Sequence, residues 1–291
     1  MTKELTEPLV ELIRKVSCEL SPDVATALEN AHAVEEEGSA ARGVFATIAE
    51  NVDIARKNST PICQDTGTPI FYVHYPQGWS TKQLKLQITK AVAEATARSY
   101  LRPNAVHSVT GKNSGNNIGD DHFPTIHFEE IDGDDLVIDI ILKGGGCENV
   151  GAQYSLPDTR LNAGRDLEGV RKVVLDAVYK AQGQGCAPGV LGVTIGGDRG
   201  SGYLASKEVL LRKLGDTNPD PQLDALEKRI TREANQLGIG PMGFGGKTTV
   251  LDTKINTLHR LPASFFVTIS YMCWAYRRRR MVIQPDEIIY E

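Results

Sequence analysis

Amphipathic helical stretches that alternate with short apolar runs, joined by glycine- and proline-rich turns, restrict the fold of this chain more than any other feature. Leu9, Leu12, Ile13 and Val16 recur at helical spacing, and Ser21-Pro22-Asp23 reads as a helix start with Pro in the first turn. Further helices are expected over Ala40 to Lys57, Thr81 to Ala97 and Arg165 to Ala181, with two more between residues 204 and 237. Strands are expected at Ile70 to His74, Thr125 to Glu129, Leu136 to Leu142, Val190 to Ile195, Thr248 to Ile255 and Ser264 to Met272. The turn Asp132-Gly133-Asp134-Asp135 joins the second and third of these as in a hairpin. Residues 103 to 122, rich in Gly, Asn and Asp, read as an irregular loop. The elements do not follow one another as clean βαβ units. The expected class is therefore mixed α/β of the α+β kind, with helices interleaved with short, mainly antiparallel strands. No fixed-period repeat, long linker or low-complexity tract interrupts the 291 residues, and a single domain over 1–291 is the preferred organisation.

Charge and cysteine usage exclude several function classes. Lys and Arg total 32 against 37 Asp and Glu, a formal net charge of −5, which makes no electrostatic case for nucleic acid. The one basic run, Arg277 to Arg280, reads as a solvated or ion-paired stretch. No segment approaches the roughly 18 apolar residues of a membrane helix, and Met1-Thr2-Lys3-Glu4 does not open a signal core. A cytoplasmic protein with no membrane partner is expected. Five cysteines, at 18, 63, 147, 186 and 273, are an odd and irregularly spaced set in a chain too long for a disulfide scaffold. Reduced thiols or metal-bound thiolates are expected.

Four of those cysteines share a setting. Cys63, Cys147 and Cys186 lie in glycine- or proline-rich turns beside regular elements, and Cys273 follows the end of a strand. Turns leave backbone N–H groups free to point at sulfur, and iron–sulfur clusters take thiolate ligands tuned by such N–H groups. Cys18 falls in an ordinary helix and reads as a packed thiol. With no C-x-x-C pair, a zinc ribbon or thioredoxin-like site is disfavoured. Gly245-Gly246-Lys247-Thr248 imitates a phosphate loop, yet Pro241 stands where the earlier glycine is required and a strand follows instead of a helix. A tight turn with close backbone approach is the expected use of these glycines.

Several motifs in order resemble the class I, iron–sulfur fumarases and the related L(+)-tartrate dehydratases. Cys63-Gln64-Asp65-Thr66-Gly67-Thr68 resembles the first ligand motif, Lys143-Gly144-Gly145-Gly146 the substrate-side glycine loop, Cys186-Ala187-Pro188-Gly189 the second ligand motif and Tyr271-Met272-Cys273-Trp274-Ala275 the third. The resemblance covers residues ~40 to 280, and implies an iron–sulfur hydro-lyase alpha-type domain. It implies a 4Fe–4S cluster with one labile iron on Cys63, Cys186 and Cys273. It further implies that Gln64, Asp65 and Arg102 meet a small dicarboxylic acid, with Gly146 offering a backbone N–H and His259 matching a family histidine upstream of the third cysteine. An Arg fork suits the carboxylate because it bonds both oxygens. The chain departs from the pattern at Cys147, where many fumarases have Ser, and at Ala187, which replaces the first Pro of the second motif.

Single-chain family members continue into a second domain, whereas this chain ends at Glu291. The resemblance therefore implies an alpha subunit with a separate beta subunit, as α2β2, and little turnover by this chain alone. Reversible hydration of fumarate to S-malate is the first expectation, with Glu148-Asn149 leaning that way. L(+)-tartrate or mesaconate chemistry is the neighbouring alternative. A non-catalytic iron–sulfur binding protein and a redox protein cycling a cysteine pair are the alternatives from other classes.

Overall fold

A computed structural model describes residues 3–120 and 122–291; Met1 and Thr2 of the expected N-terminal reading, and Asp121 of the expected loop, lie outside the described residues. In chain order the elements are α1 (Thr6–Cys18), α2 (Pro22–Val34), α3 (Ala40–Asn58), β1 (Thr68–Pro76), α4 (Thr81–Ala97), β2 (Thr125–Ile131), β3 (Leu136–Lys143), α5 (Gly145–Asn149) and β4 (Ala152–Ser155). They continue as α6 (Leu167–Ala181), β5 (Gly189–Gly196), α7 (Arg199–Glu208), α8 (Pro221–Asn235), β6 (Val250–Leu258), β7 (Phe266–Met272), β8 (Arg278–Ile283) and β9 (Ile288–Tyr290). Among the described residues, five of the seven strand pairings are antiparallel, which agrees with the mixed class expected. The chain divides into two compact units, one of Met1–Ser21, Ala49–Gly145 and Arg277–Glu291, the other of Pro22–Ile48 and Gly146–Tyr276.

The first unit is a five-stranded sheet in the order β2-β1-β3-β8-β9. Strand alternation sends Phe71, Val73, Ile138, Ile140, Leu142, Met281 and Ile283 to one face, where they form a core with Leu9, Leu12, Ile13 and Val16 of α1 and Leu84, Ile88 and Val92 of α4. Each helix buries one stripe at 3.6-residue spacing, and Ser80 caps α4 by accepting from the Gln83 N–H. The opposite face carries Tyr72, Asp139 and Arg280 in register, and Arg280 grips Asp139 through two bonds of 2.8 and 2.9 Å. The turn at 132–135 does reverse the chain, but β2 and β3 are not a hairpin. β1 lies between them, parallel to β2 and antiparallel to β3. A turn fixes direction, and only the side-chain pattern across the sheet fixes neighbours.

The second unit is a four-stranded sheet in the order β4-β7-β5-β6. Every residue of β5 is buried, as in a strand covered on both faces. α7 approaches one face through glycines. A Cβ on Gly192 would lie 2.1 Å from the Ser206 carbonyl, and one on Gly202 would lie 2.5 Å from the Thr268 hydroxyl. α6 and α8 serve the other face, where Thr231 of α8 bonds Thr253 of β6. Asp166, Asp198 and Asp220 cap α6, α7 and α8 through their carboxylates.

The Gly-Lys-Thr loop has a definite structural use. Glu35, 4% exposed and just past α2, accepts from the Lys247 N–H with both carboxylate oxygens and from the Thr248 N–H, all at 2.9 Å. A phosphate would need those same N–H groups. Gly246, at φ +127, has no room for a Cβ, which would fall 2.7 Å from Ala41 and 2.9 Å from the Glu35 carboxylate. The expected close backbone approach is therefore the approach of an internal carboxylate.

Candidate active site

Within the first unit, the turn before β1 places Cys63, Gln64 and Asp65. Gln64 is exposed, while Cys63 and Asp65 are half-buried. Gly67 adopts φ +77 and packs so closely on Lys143 that a Cβ would lie 2.7 Å from its carbonyl carbon, which explains the glycine of the motif. Three hydrogen bonds hold Asp65. One carboxylate oxygen accepts from the Gly67 N–H at 3.0 Å, and the other from the Gly145 N–H at 2.7 Å. Its main-chain carbonyl accepts from Arg277 Nη1 at 2.7 Å. Gly144 is required beside it, because a Cβ there would sit 3.0 Å from Asp65 Oδ2.

Arg102 enters the same neighbourhood from the 101–105 segment. Its N–H donates to Thr66 Oγ1 at 3.1 Å, and its carbonyl accepts from Asn117 Nδ2 at 2.7 Å. Asn117 is fully buried, at φ 60, and also accepts from the Asn104 N–H. The guanidinium is left exposed. Gln64, Asp65, Arg102, Asn104, Val106 and Asn113 border a recess of about 390 Å³. A cation, an amide and a carboxylate facing one recess can bind and orient a small carboxylic acid.

Within the second unit, Cys186 and Cys273 stand at one end of the four-stranded sheet. Cys186 closes the turn after α6, at φ 56, with its N–H bonded to the Gly183 carbonyl at 3.0 Å. The Trp274 N–H donates to the Cys186 carbonyl at 3.1 Å, so the two cysteine segments are tied through backbone. On the other side of the turn, the Met242 N–H donates to the Ala187 carbonyl at 2.8 Å. Tyr271 packs against Gly185 and Gly189, where a Cβ would fall 2.6 and 2.3 Å from its ring. Burial pushes the Tyr271 phenol up, and the neighbouring Cys273, Cys147 and Cys186 thiols add to it. Cys147 is buried, its sulfur 4.0 Å from that of Met272. Gly146 opens this unit beside it, half-buried within α5.

His259 is not brought to that end. It is exposed and follows the far end of β6, opposite Gly196, whereas Cys186 precedes the near end of β5 and Cys273 follows β7 at its pairing with Val190. Seven residue steps of strand, about 23 Å at ~3.3 Å per residue, separate the two ends.

The donors fit an iron–sulfur cluster by type. Cys63, Cys186 and Cys273 are half-buried, in or next to turns, and free of disulfides, while Cys18 is fully buried in α1 with its thiol pushed up to about 11 by burial. Among the described residues no group of three or more His, Cys, Asp or Glu side chains is gathered as one set of metal ligands. Several supporting residues escape sequence reasoning. Arg277 hides inside a basic run, and Thr66 and Asn117 are polar residues whose burial only the fold determines. The glycines at 67, 144, 185 and 189 are the visible trace of close approach, without naming what approaches.

No helix among the described residues is long and apolar enough to cross a membrane. The sequence model of the family described as "Fumarate hydratase (Fumerase)" matches residues 6–282. A Geobacillus stearothermophilus protein, provisionally named a class I fumarate hydratase, is 49% identical over 287 residues, 98% of this chain and 56% of its own length. The chain thus spans little more than half of that relative. A Methanocaldococcus jannaschii protein, provisionally named an L(+)-tartrate dehydratase subunit alpha, is 34% identical across 97% of this chain and 99% of its own length. The L(+)-tartrate dehydratase subunit alpha of Escherichia coli O157:H7 is 30% identical across 97% of this chain and 92% of its own length. With the family matched over nearly its whole length, the chain belongs to the fumarate hydratase (Fumerase) family.

Proposed function

We propose that this chain is the alpha-type part of a hydro-lyase that adds or removes water on a small hydroxy-dicarboxylic acid, fumarate and S-malate first. The observation that carries the reading is the recess where Gln64, Asp65 and Arg102 converge directly after Cys63. We assign Cys63, Cys186 and Cys273 as ligands of a 4Fe–4S cluster with one labile iron. When bound, such a cluster supplies a Lewis-acidic iron that eases breaking of the substrate C–O bond.

The chain's own residues then have distinct tasks. The Arg102 guanidinium, held out by Thr66 and Asn117 through its backbone, grips a substrate carboxylate with two parallel N–H bonds. Gln64 orients the substrate through its side-chain amide. Asp65 keeps acceptor capacity on both oxygens beyond the bonds from Gly67 and Gly145, and takes or returns a proton there. Gly146 offers its backbone N–H, as the family resemblance implies. His259, exposed at the other end of its sheet, has no task at the Cys186–Cys273 end.

A beta-type partner, in an α2β2 assembly, completes the site in this reading. The support is that relatives of matching length are named subunit alpha. Five cysteines, none in a disulfide, suit the reducing cytoplasm, where we place the protein. The same matching length favours L(+)-tartrate dehydration as the second reading, with mesaconate hydration beyond it. The test reconstitutes the chain anaerobically with its beta-type partner and compares rates on fumarate, L-tartrate and mesaconate. Fumarate hydration at the highest kcat/KM is the expected result. A dominant rate on L-tartrate transfers the assignment to the second reading, and no turnover of any of the three overturns both.

A further inference from the structure

The run Arg277 to Arg280 leaves one residue without an ordinary partner. Arg280 grips Asp139, and Arg279 reaches the Leu20 carbonyl at 3.2 Å and Glu19 at 3.7 Å. The Arg278 carbonyl accepts from Ser21. Arg279 and Arg280 fit the solvated or ion-paired stretch expected of a basic run. Arg277 does not. It is 1% exposed, the largest of the fully buried side chains, and no carboxylate pairs with it among the described residues. Its Nε has no hydrogen-bond partner, a feature shared by the Nε atoms of Arg278 and Arg279, so the missing counter-ion is what sets Arg277 apart. Burying a guanidinium without a counter-ion is costly, so its retention needs a return elsewhere.

The bond it makes indicates that return. Nη1 donates to the Asp65 carbonyl at 2.7 Å, and a Cβ on Gly144 would meet Nη2 at 3.6 Å and Asp65 Oδ2 at 3.0 Å. Arg277 therefore backs the peptide that follows Asp65, while Gly67 and Gly145 hold the carboxylate from the front. The Leu142 N–H donates to the Arg277 carbonyl at 3.0 Å, which fixes the arginine's own backbone to the strand that leads into Gly144. Three segments far apart in sequence thus meet on one residue.

We propose that Arg277 is a positioning residue, which sets the Cys63–Gly67 turn through the Asp65 carbonyl and so aims Gln64 and Asp65 into their recess. The effect on turnover rests on the function proposed above; the fixing of the turn does not. A planar guanidinium suits the task better than an ammonium, because its donors have fixed directions and it is always charged.

Two measurements on Arg277→Lys and Arg277→Met test this. In the purified chain, hydrogen exchange at the Gly67 and Gly145 amides should quicken at least about tenfold in both variants, the smallest change expected for losing a hydrogen bond to a charged donor. The amides of Ile138 and Ile140 in β3 serve as the internal control. In the holoenzyme with its beta-type partner, kcat per bound cluster should fall at least about tenfold in Arg277→Lys, with KM within about threefold and iron per chain unchanged. Unchanged exchange at Gly67 and Gly145 overturns the proposal, as does activity loss that merely follows loss of iron. Should Arg277→Met fail to fold, Arg277→Lys still decides both measurements. If the wild-type holoenzyme turns over none of the three dicarboxylates, the functional reading fails and the exchange data alone decide whether Arg277 sets the turn.

Discussion

Replacing Glu35 tests whether an internal carboxylate holds the glycine loop. Its two oxygens take three bonds of 2.9 Å from the Lys247 and Thr248 N–H groups, and Thr248 is buried. Glu35→Ala leaves the buried Thr248 N–H unpaired, at about 1–3 kcal/mol. The Lys247 N–H, on an exposed residue, can turn to water, so it adds on the order of 0.5–1.5 kcal/mol. A total of roughly 1.5–4.5 kcal/mol follows from these two groups. Glu35→Gln is milder. Its single oxygen can keep the position that accepts from both N–H groups, but its amide nitrogen then faces the Lys247 N–H and the charge is lost. A cost of about 1–2 kcal/mol is expected. Urea unfolding of the chain under anaerobic conditions gives the order, and hydrogen exchange locates it. Lys247 and Thr248 should lose protection first in Glu35→Ala, with Glu35→Gln intermediate. Equal stability of Glu35→Gln and Glu35→Ala would refute the bonding scheme, as would unchanged protection at Thr248.

Other perturbations follow from the same geometry. Gly189→Ala drives a Cβ to within 2.3 Å of the Tyr271 ring, and should destabilise the second unit by at least about 1–3 kcal/mol. In a double-mutant cycle, Gly189→Ala should cost less in a Tyr271→Ala background than in the parent chain, because the buried ring it meets is gone, and an equal cost in both backgrounds would mean the ring is not the obstacle. Burial opposes ionisation of Asp216, but its hydrogen bonds from Arg212 and Lys254 outweigh this and hold the carboxyl below its ordinary 3.8. A depressed folded value means the stabilisation is present above the unfolded pKa and disappears as pH falls through the folded one. Asp216→Asn should therefore weaken the chain near pH 6 and flatten the fall of its stability as pH drops below about 4, in denaturant titrations at each pH. Cys18, fully buried with its thiol pushed up to about 11, should be the last of the five to be alkylated at pH 8. Mass-spectrometric mapping that found Cys18 modified before Cys63 would contradict that burial.

Helices and strands were legible in this chain because one-sided burial leaves a period. α1, α4 and α6 each repeat their apolar residues every 3.6 positions, and β5 is a plain apolar run. β8 was not legible. Arg278 and Arg280 point to the polar face of the first sheet, so the strand presents itself as a basic run. Strand order was hidden for a related reason. Nothing local to the 132–135 turn reveals that β1, some sixty residues earlier, separates the two strands it joins.

The candidate site was legible where residue chemistry is unusual, and illegible where support is ordinary. Cysteines in glycine-rich turns, and Gln64-Asp65 beside the first of them, stand out by type. The glycines reported close approach but not their partners, which proved to be Lys143, Tyr271 and the carboxylates of Asp65 and Glu35. Thr66, Asn117 and Arg277 became meaningful only through burial and bonding. His259 shows the converse. Its distance from Cys273 along the chain does not reveal that β7 carries the cysteine back to the other end of the sheet.

Iron and acid-labile sulfide should be determined on the chain purified and reconstituted without oxygen, beside Cys63→Ser. Near-equal iron and sulfide at about four each per chain, largely lost in the variant, is the predicted result. Zinc, or no metal in either protein, would contradict a 4Fe–4S cluster on Cys63, Cys186 and Cys273 and the hydro-lyase chemistry proposed on it.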